Sequence, residues 1–310
     1  MNDPLTRELE VLSRFDDVEL VKSPALTEEE LIRDGADAEV ILFVSAKLTA
    51  NVIRSLKKCK LIVRYGIGYD TVDTEAAREC GIYVCNAPNY GVTDVAEHAF
   101  TLMMACCKHL ARLDGRAKSG NFGFENIGIW QRLTGKTVGF LAFGKIARAV
   151  CRFTRAFDTK AIVYDPYVSD EVLAEYGAER VSFDNLLANA DFLTVHLPLS
   201  DATRHTIGKA ELAKMKKSAI LINTSRGPII DEAALIDALE SGVIAGAGLD
   251  VFEDETGGVD PRLLQQYNVV LTPHVAWNTA EAVAAIHDEV ATNVARYLDG
   301  NRPDSIVNGL

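Results

Sequence analysis

The sequence predicts an α/β protein with two doubly wound parallel-sheet domains, one smaller than the other. Short apolar segments typical of buried strands alternate with helical segments, and this alternation occurs in two separate series. A long apolar helical pattern at residues 95–113 lies between the two series. With 310 residues and 48% hydrophobic content, the chain is long enough to build two hydrophobic cores.

The first series predicts a small parallel sheet with helices on both faces. Its segments are strand 18–21, helix 27–33, strand 40–44, helix 49–56, strand 61–64, helix 74–80 and strand 82–84. The helical pattern 95–113 follows and is too long for a simple crossover between strands. We therefore interpret it as one helix leading into a second domain.

The second series predicts a larger sheet of about six strands. The strand segments are 136–141, 161–165, 191–196, 219–223, 245–251 and 268–273, each followed by a helical stretch. A final helix, 279–298, carries an apolar stripe of Val283, Ile286, Val290, Val294 and Leu298. We expect it to pack back on the first domain. This predicts a discontinuous domain of residues 1–97 and 281–310 and a second domain of residues 98–280.

Charge and composition exclude several functional classes. The chain has 32 basic and 44 acidic residues, and a net charge of −12 repels a phosphate backbone and an anionic membrane surface. Its N-terminus has no apolar signal-peptide core, so a cytoplasmic protein is expected. The six cysteines form no CxxC pair and lie within apolar patterns, which favours reduced core thiols over a metal site.

A nucleotide-binding turn follows the first strand of the second series. The residues after TVGFL are AFGKIA, 142–147, an AxGxxA variant of the usual GxGxxG. Gly144 leaves room for a pyrophosphate, and the amides of Lys145 and Ile146 open the following helix. Ala142 replaces the glycine that makes the tight turn.

Asp165 strengthens the cofactor prediction. It ends the next strand, where a carboxylate can hydrogen-bond adenosine ribose hydroxyls and repel a 2′-phosphate, so NAD is favoured over NADP. The alternative is a simple turn former ahead of Pro166.

Three segments near the C-terminal end supply residues suited to redox chemistry on an acid. They are NTSRGPIID (223–231), GLDVFEDE (248–255) and TPHVAW (272–277). Arg226 offers a planar charged fork for a carboxylate, and His274 is the residue type that transfers protons near neutral pH. Glu255, by accepting a hydrogen bond from the imidazole, would fix its tautomer and favour its protonated form. Each alone also fits a surface arginine, a solvated glutamate or a structural histidine.

From about Glu8 to Val307, the chain resembles the D-isomer-specific 2-hydroxyacid dehydrogenase family, which includes phosphoglycerate and D-lactate dehydrogenases and the C-terminal-binding-protein corepressors. The resemblance rests on several ordered segments. They are RYGIGYDTVD (64–73), CNAPNYGVTDVAEHAF (85–100), GKTVGFLAFGKIARAV (135–150), VHLPLSDATRHTIG (195–208), LINTSRGPIID (221–231), GAGLDVFEDE (246–255) and LTPHVAW (271–277).

The resemblance implies a Rossmann NAD-binding domain, a smaller flavodoxin-like substrate domain, and hydride transfer between nicotinamide and a 2-hydroxy or 2-keto acid in the cleft between them. Arg226, Glu255 and His274 match the catalytic positions. Asp250 matches a nicotinamide contact, and Leu197, Thr224 and Ser225 match the cofactor channel. The matched substrate-binding positions are Ser45, Gly66, Ile67, Gly68 and Arg226.

Departures from the family pattern sharpen these expectations. Thr256, Gly257 and Gly258 follow Glu255 where a proline is usual, which predicts a looser loop. The glutamate itself disfavours formate dehydrogenase, and Ile67 disfavours a phosphite-oxidising relative. The chain also begins at MNDPL, apparently past the family's first strand, so we expect an incomplete or rearranged first sheet.

The substrate and partner stay open at this level. Within residues 43–49 only Lys47 is cationic, so phosphoglycerate is possible but unsupported. Trp277 and the altered Ala142 turn also permit an NAD-sensing, corepressor-like binding protein with little turnover. The resemblance further implies a homodimer formed through the NAD-binding domain, and helix 96–113 is a candidate contact.

Overall fold

The computed structural model describes residues 5–123, 125, 127–128 and 130–310. The chain divides into two compact units, Met1–Gly91 with Asn278–Leu310, and Val92–Trp277. Among the described residues, no helix has the length and apolar character that a membrane crossing requires. The start of the chain, on which the expectation of a missing first strand rests, lies partly outside the described residues.

Helices and strands alternate along most of the chain. The helices are α1 Thr6–Leu12, α2 Glu28–Gly35, α3 Ala50–Ser55, α4 Thr74–Glu79, α5 Val92–Cys107, α6 Leu110–Lys118, α7 Lys145–Arg155, α8 Asp170–Glu175, α9 Phe183–Asn189, α10 Lys209–Leu212, α11 Glu232–Glu240, α12 Pro261–Leu264 and α13 Ala280–Leu298. The strands are β1 Val40–Phe43, β2 Leu61–Arg64, β3 Tyr83–Cys85, β4 Thr137–Leu141, β5 Lys160–Tyr164, β6 Ala178–Arg180, β7 Phe192–Val195, β8 Ile220–Asn223, β9 Gly246–Leu249 and β10 Val269–Leu271.

The smaller unit contains a three-stranded parallel sheet in the order β1-β2-β3. The predicted strand at 18–21 is wrong because this segment has no strand conformation. Val18 and Val21 are 37% and 72% exposed, so no sheet face buries their side chains. A β-branched segment forms a strand only where a neighbouring strand satisfies its backbone.

Helix α13 belongs to the smaller unit, and its apolar side packs on that unit's sheet. The Thr279 side chain caps its first turn by accepting a hydrogen bond from the Ala282 amide. Ile286, Val290 and Val294 are buried in the cluster that contains Leu61 of β2. The predicted apolar stripe therefore does hold the C-terminal helix against this sheet.

The larger unit contains a seven-stranded parallel sheet in the order β10-β9-β8-β7-β4-β5-β6. One more strand is present than the sequence predicted, because β6 is a three-residue strand with two charged side chains. All the strands are parallel, but the order in which the chain adds them to the sheet reverses between β4 and β7, which pair directly. Ligands of doubly wound sheets bind beyond the carboxyl ends of the strands at such a reversal.

The single helix predicted for residues 95–113 is wrong, because the chain forms two helices there. His109, with φ of 50°, lies between α5 and α6 in the left-handed region and interrupts the helical path. Helix α5 buries seven residues in the larger unit, including Leu102 and Met103, whereas α6 buries none. The apolar residues of α5 thus pack within their own unit.

Candidate active site

Arg226 lies in the loop after the buried strand β8. Asn223, at the end of that strand, accepts hydrogen bonds from the Ser225 amide at 3.0 Å and the Ser225 hydroxyl at 2.8 Å. Its side-chain amide donates to the Arg226 carbonyl at 2.9 Å. The Arg226 Nη1 donates to the Ser225 carbonyl at 2.7 Å. A buried asparagine therefore shapes the loop that presents the guanidinium group.

Gly227 brings this loop against the segment that carries Glu255. A Cβ built on Gly227 would lie 1.9 Å from both the carbonyl carbon and the carbonyl oxygen of Phe252. Only a residue without a side chain permits this approach of two backbones. The glycine of the SRGP sequence thus explains how Arg226 and Glu255 come to lie near each other.

Glu255 and His274 form a direct pair. Nδ1 of His274 lies 2.7 Å from Oε2 of Glu255, and each side chain is 39% exposed. Burial raises the pKa of Glu255, but the hydrogen bond and charge of His274, with the nearby charge of Arg226, bring it below its ordinary value. The carboxylate is therefore ionised beside the imidazole, and the three predicted catalytic side chains lie together in the larger unit.

The loop after Glu255 is held by side-chain hydrogen bonds where the family pattern has proline. Oδ1 of Asp254 accepts from the Thr256 amide at 3.0 Å, the Gly257 amide at 2.7 Å and the Thr256 hydroxyl at 2.9 Å. These bonds hold the pKa of Asp254 below its ordinary value. Aspartate makes such local bonds readily, and here they order the turn without a proline.

His274 has an unusual backbone conformation that Asp250 supports. Its φ is 53°, in the left-handed region that non-glycine residues rarely adopt. The His274 amide donates to the Asp250 carbonyl at 2.8 Å. The Asp250 carboxylate accepts from the Val275 amide at 3.0 Å and the Ala276 amide at 2.9 Å. A fully buried aspartate therefore holds the turn on which the histidine stands.

His98 is a functional candidate that the sequence analysis missed. Its Nε2 lies 2.9 Å from the Thr272 hydroxyl and 3.6 Å from Oδ1 of Asp250. Thr272 donates to the same Asp250 oxygen at 2.6 Å. The histidine lies in the quoted segment CNAPNYGVTDVAEHAF, but 152 residues separate it from Asp250, so spacing alone could not join them. The predicted contact of Asp250 with the nicotinamide carboxamide stays a prediction.

The predicted nucleotide turn lies at the carboxyl end of β4, at the reversal point of the sheet. Gly144 begins α7 without a side-chain cap, and a Cβ built on it would meet no atom within 4 Å. The turn therefore leaves open space at the helix N-terminus, where the amides of Lys145 and Ile146 can receive a pyrophosphate. Ala142 has φ of 72°, the conformation for which glycine is usual.

Asp165 braces this turn from the end of β5. Its Oδ2 accepts from the Phe143 amide at 2.8 Å. Its Oδ1 accepts from the Tyr167 amide at 2.8 Å and the Val168 amide at 3.2 Å. The carboxylate is thus fixed next to the turn, and its bond to a ribose stays a prediction.

The other predicted cofactor-channel residues follow β7 and β8. Leu197 is partly buried against the core of the larger unit. Thr224 is 9% exposed, and its hydroxyl makes no hydrogen bond to any described residue. Ser225, as described above, is bonded to Asn223. The Thr224 hydroxyl is a buried polar atom that a bound cofactor could satisfy, so the residues present fit NAD.

Four of the predicted substrate residues, Ser45, Gly66, Ile67 and Gly68, lie in the smaller unit, whereas Arg226 lies in the larger one. Gly66 has φ of 152°, a backbone conformation that residues with a side chain rarely adopt, and a Cβ built on it would lie 2.1 Å from Nη1 of the flexible Arg64 side chain. The Asn86 side-chain amide donates to the Ile67 carbonyl at 2.7 Å. Ser45 is exposed after β1, as is Lys47. Arg64 lies beside this loop and is a cation that could not be assigned to the site from the sequence.

Comparisons with known proteins show which family the chain resembles. A family model described as "D-isomer specific 2-hydroxyacid dehydrogenase, NAD binding domain" matches residues 100–276. The chain is 38% identical over 310 residues to glyoxylate reductase from Thermococcus litoralis, covering 97% of this chain and 93% of that protein. It is 39% identical over 312 residues to D-3-phosphoglycerate dehydrogenase from Methanocaldococcus jannaschii, covering 99% of this chain but only 59% of that protein.

A solved structure has a similar fold over most of the chain. D-lactate dehydrogenase from Aquifex aeolicus, complexed with NAD and lactic acid, superposes with a TM-score of 0.87 at 31% identity. The match covers 94% of this chain and 92% of that chain. Both sheets thus have counterparts in a protein crystallised with NAD.

Proposed function

Since the chain belongs to the D-isomer-specific 2-hydroxyacid dehydrogenase family and is an NAD-dependent oxidoreductase, we propose that it reduces a small, unphosphorylated 2-keto acid such as glyoxylate or hydroxypyruvate. The observation that carries this proposal is the grouping of Arg226, Glu255 and His274, with the 2.7 Å bond between the last two. A carboxylate anchor beside a carboxylate-paired imidazole suits a substrate with an acid group next to a reducible carbonyl.

The site residues have distinct roles in this proposal. Arg226 binds the substrate carboxylate with its guanidinium fork. His274 uses Nδ1 for Glu255, so Nε2 is the atom that delivers a proton to the carbonyl oxygen during reduction. Glu255 stabilises the charged imidazole, and Asp250 fixes the turn beneath it. In the smaller unit, the amides of residues 66–68 bind an acid group of the substrate.

NAD, when bound, supplies or accepts the hydride at its nicotinamide ring. We propose that Gly144, Lys145 and Ile146 hold its pyrophosphate and Asp165 its adenosine ribose. We assign Leu197, Thr224, Ser225 and Asp250 to the channel toward the nicotinamide. The Asp165 carboxylate would repel a 2′-phosphate, so NADH is the expected donor.

The preference for an unphosphorylated acid rests on the β1 region. Lys47 is the one cation among residues 43–49 and it is exposed, whereas a phosphate group favours several converging cations. The similarity to D-3-phosphoglycerate dehydrogenase favours a second candidate, oxidation of phosphoglycerate.

A keto-acid panel tests the proposal. Purified protein is assayed with NADH or NADPH and glyoxylate, hydroxypyruvate, pyruvate, 2-ketobutyrate, oxaloacetate or phosphohydroxypyruvate. We expect NADH-dependent reduction of glyoxylate or hydroxypyruvate, lost in Arg226→Ala and in His274→Ala. A clear preference for phosphohydroxypyruvate would support the second candidate. Tight NADH binding without turnover on any acid would favour a corepressor-like binding role instead.

We also propose a cytoplasmic homodimer formed through the NAD-binding unit. Helix α6 supports this because it buries none of its residues, and Leu110 on it is 60% exposed. Light scattering at micromolar concentration, with Leu110→Glu beside the unaltered protein, tests the contact. A monomer in both samples would contradict the dimer.

A further inference from the structure

A buried polar cluster in the smaller unit takes no part in the chemistry proposed above. Glu8 of α1 is 0% exposed, His287 of α13 is 3% exposed and Tyr65 after β2 is 7% exposed. The Tyr65 hydroxyl donates to Oε1 of Glu8 at 2.7 Å, and Nδ1 of His287 lies 2.6 Å from the same oxygen. One carboxylate oxygen therefore joins three segments that are distant in sequence.

Stability alone does not account for this cluster. Removing a carboxylate from water is costly, and a buried ionic pair is often no more stabilising than apolar side chains of similar volume. The second oxygen of Glu8, Oε2, makes no hydrogen bond to any described residue, so desolvation is only partly compensated. Such groups are retained in some proteins because they specify one arrangement of the chain.

The arrangement that this cluster specifies is the start of the substrate loop. Tyr65 directly precedes Gly66, whose φ of 152° is one that residues with a side chain rarely adopt. The Tyr65 amide donates to the Phe43 carbonyl of β1 at 2.9 Å, so the backbone is tied to the sheet while the side chain is tied to α1 and α13. Tyr65 cannot rotate without breaking its bond to the buried Glu8.

A chain of hydrogen bonds through Ser305 and Asn86 also links the loop to the same C-terminal helix. Asn86, which donates to the Ile67 carbonyl, has its own carbonyl bonded by the Ser305 hydroxyl at 2.5 Å. Asn293 of α13 donates to that hydroxyl at 3.1 Å. Helix α13 is thus linked to the loop at two places, through Glu8 to Tyr65 and through Ser305 and Asn86 to Ile67.

We propose that Tyr65 is a positioning residue for substrate binding, held by Glu8 and His287, and that this cluster keeps the amides of residues 66–68 in their binding geometry. The inference rests on the proposed function, because it assumes that this loop binds an acid group of the substrate. It gives helices α1 and α13 a role in determining how tightly the substrate binds.

Kinetics with matched variants test the proposal. Tyr65→Phe removes one hydroxyl, and Glu8→Gln keeps one acceptor oxygen but removes the charge. For Tyr65→Phe we expect KM for glyoxylate or hydroxypyruvate to rise roughly five- to tenfold, with kcat within about twofold, as for one lost hydrogen bond. The rise should be smaller for Glu8→Gln. NADH affinity should not change in either variant.

Glu10→Gln is the matched control. Glu10 lies on the same helix but is exposed and pairs with Arg7 at 2.9 Å. Its KM should equal that of the unaltered protein. If Tyr65→Phe and Glu8→Gln lower the melting temperature while KM stays at the control value, the cluster is merely structural and the proposal is overturned.

Hydrogen exchange supplies a second measurement that needs no turnover. In Tyr65→Phe, amides of the peptide 61–70 should exchange roughly tenfold faster than in Glu10→Gln, because loop opening becomes easier by about one hydrogen bond. If the unaltered protein reduces no keto acid but this difference is seen, the proposed function fails while loop positioning stands. If the protein is active and both KM and exchange are unchanged, loop positioning fails alone.

Discussion

At the scale of single residues, the candidate site contains two non-glycine residues whose backbone has a conformation that glycine usually adopts. Ala142 begins the nucleotide turn with φ of 72°, and His274 has φ of 53°. For an L-residue the left-handed region costs roughly 1–2 kcal/mol. The surrounding hydrogen bonds must therefore impose both conformations, which makes each position a sensitive site for substitution.

Replacing Ala142 with glycine should stabilise the protein. Glycine adopts φ of 72° without steric cost, so we expect the free energy of unfolding to rise by about 1 kcal/mol. NADH should also bind at least as tightly, because the turn is that of the usual motif. Urea unfolding and NADH fluorescence titration measure the two effects.

Ala147→Gly is the control for that substitution. Ala147 lies within helix α7 in the same motif and is fully buried. Glycine should lower stability there by about 1 kcal/mol. Equal signs for the two substitutions would contradict the role given to the φ of Ala142.

The Glu255 pair predicts a pH dependence. The pKa of Glu255 lies below its ordinary value of 4.5 in the folded protein. The ionised carboxylate therefore stabilises the folded state at pH values above the unfolded pKa, and this stabilisation is lost as the pH falls through the folded pKa. We expect kcat/KM for keto-acid reduction to persist from about pH 7 to about pH 5 and to fall only below the ordinary glutamate range. Glu255→Gln should lower it by roughly 10²-fold. An acid limb above about pH 5.5 that vanishes in Glu255→Gln would contradict this assignment.

At the scale of elements, two glycines in the loops after β4 and β8 are needed for different reasons. Gly144 faces open space at the start of α7, and Gly227 lies against the Phe252 backbone. Gly144→Ala should leave the melting temperature unchanged and weaken NADH binding on the order of tenfold, about 1.4 kcal/mol. Gly227→Ala should lower stability by about 2–3 kcal/mol and impair turnover, because a backbone must shift. Calorimetry and NADH titration of both variants separate the effects, and a destabilised Gly144→Ala would contradict the open turn.

Elements with strong local signals were predictable from the sequence. The β2 strand at 61–64 and the helices that begin near Thr27, Thr49 and Thr279 were predicted from the local sequence pattern, and the structure shows each threonine capping its helix. Strand 18–21 failed because its pattern says nothing about whether a neighbouring strand exists. The end of helix α5 near His109 was not predicted because the apolar pattern continues across it.

The candidate site shows the same division. Arg226, Glu255 and His274 have distinctive local surroundings and could be named from the sequence. Their supports could not be named. The bonds of His98 to Thr272 and of Tyr65 to Glu8 join residues 174 and 57 positions apart, and only folding brings them together.

At the scale of the whole molecule, the six cysteines report on burial in both units. Burial raises the pKa of Cys59, Cys85 and Cys106 to about 12 and that of Cys151 to about 11, and burial also raises the pKa of Cys107. Only Cys80 of the six is exposed. Thiolates are the reactive form, so a thiol reagent should label one cysteine in the native protein and six after denaturation. Cys80→Ser should abolish the native signal, and a second rapidly labelled thiol would contradict the described cores.

The backbone of His274 has a consequence for laboratory evolution. Because its left-handed φ is strained for a histidine, glycine or asparagine at this position should fold at least as well while losing the proton donor. A library selected for heat resistance alone would therefore enrich inactive sequences at position 274, and activity must be screened in parallel. At position 274, therefore, the residue that turnover requires is not the residue that is best for stability. The hydrogen bonds of Asp250 stabilise the turn enough for histidine to be kept there.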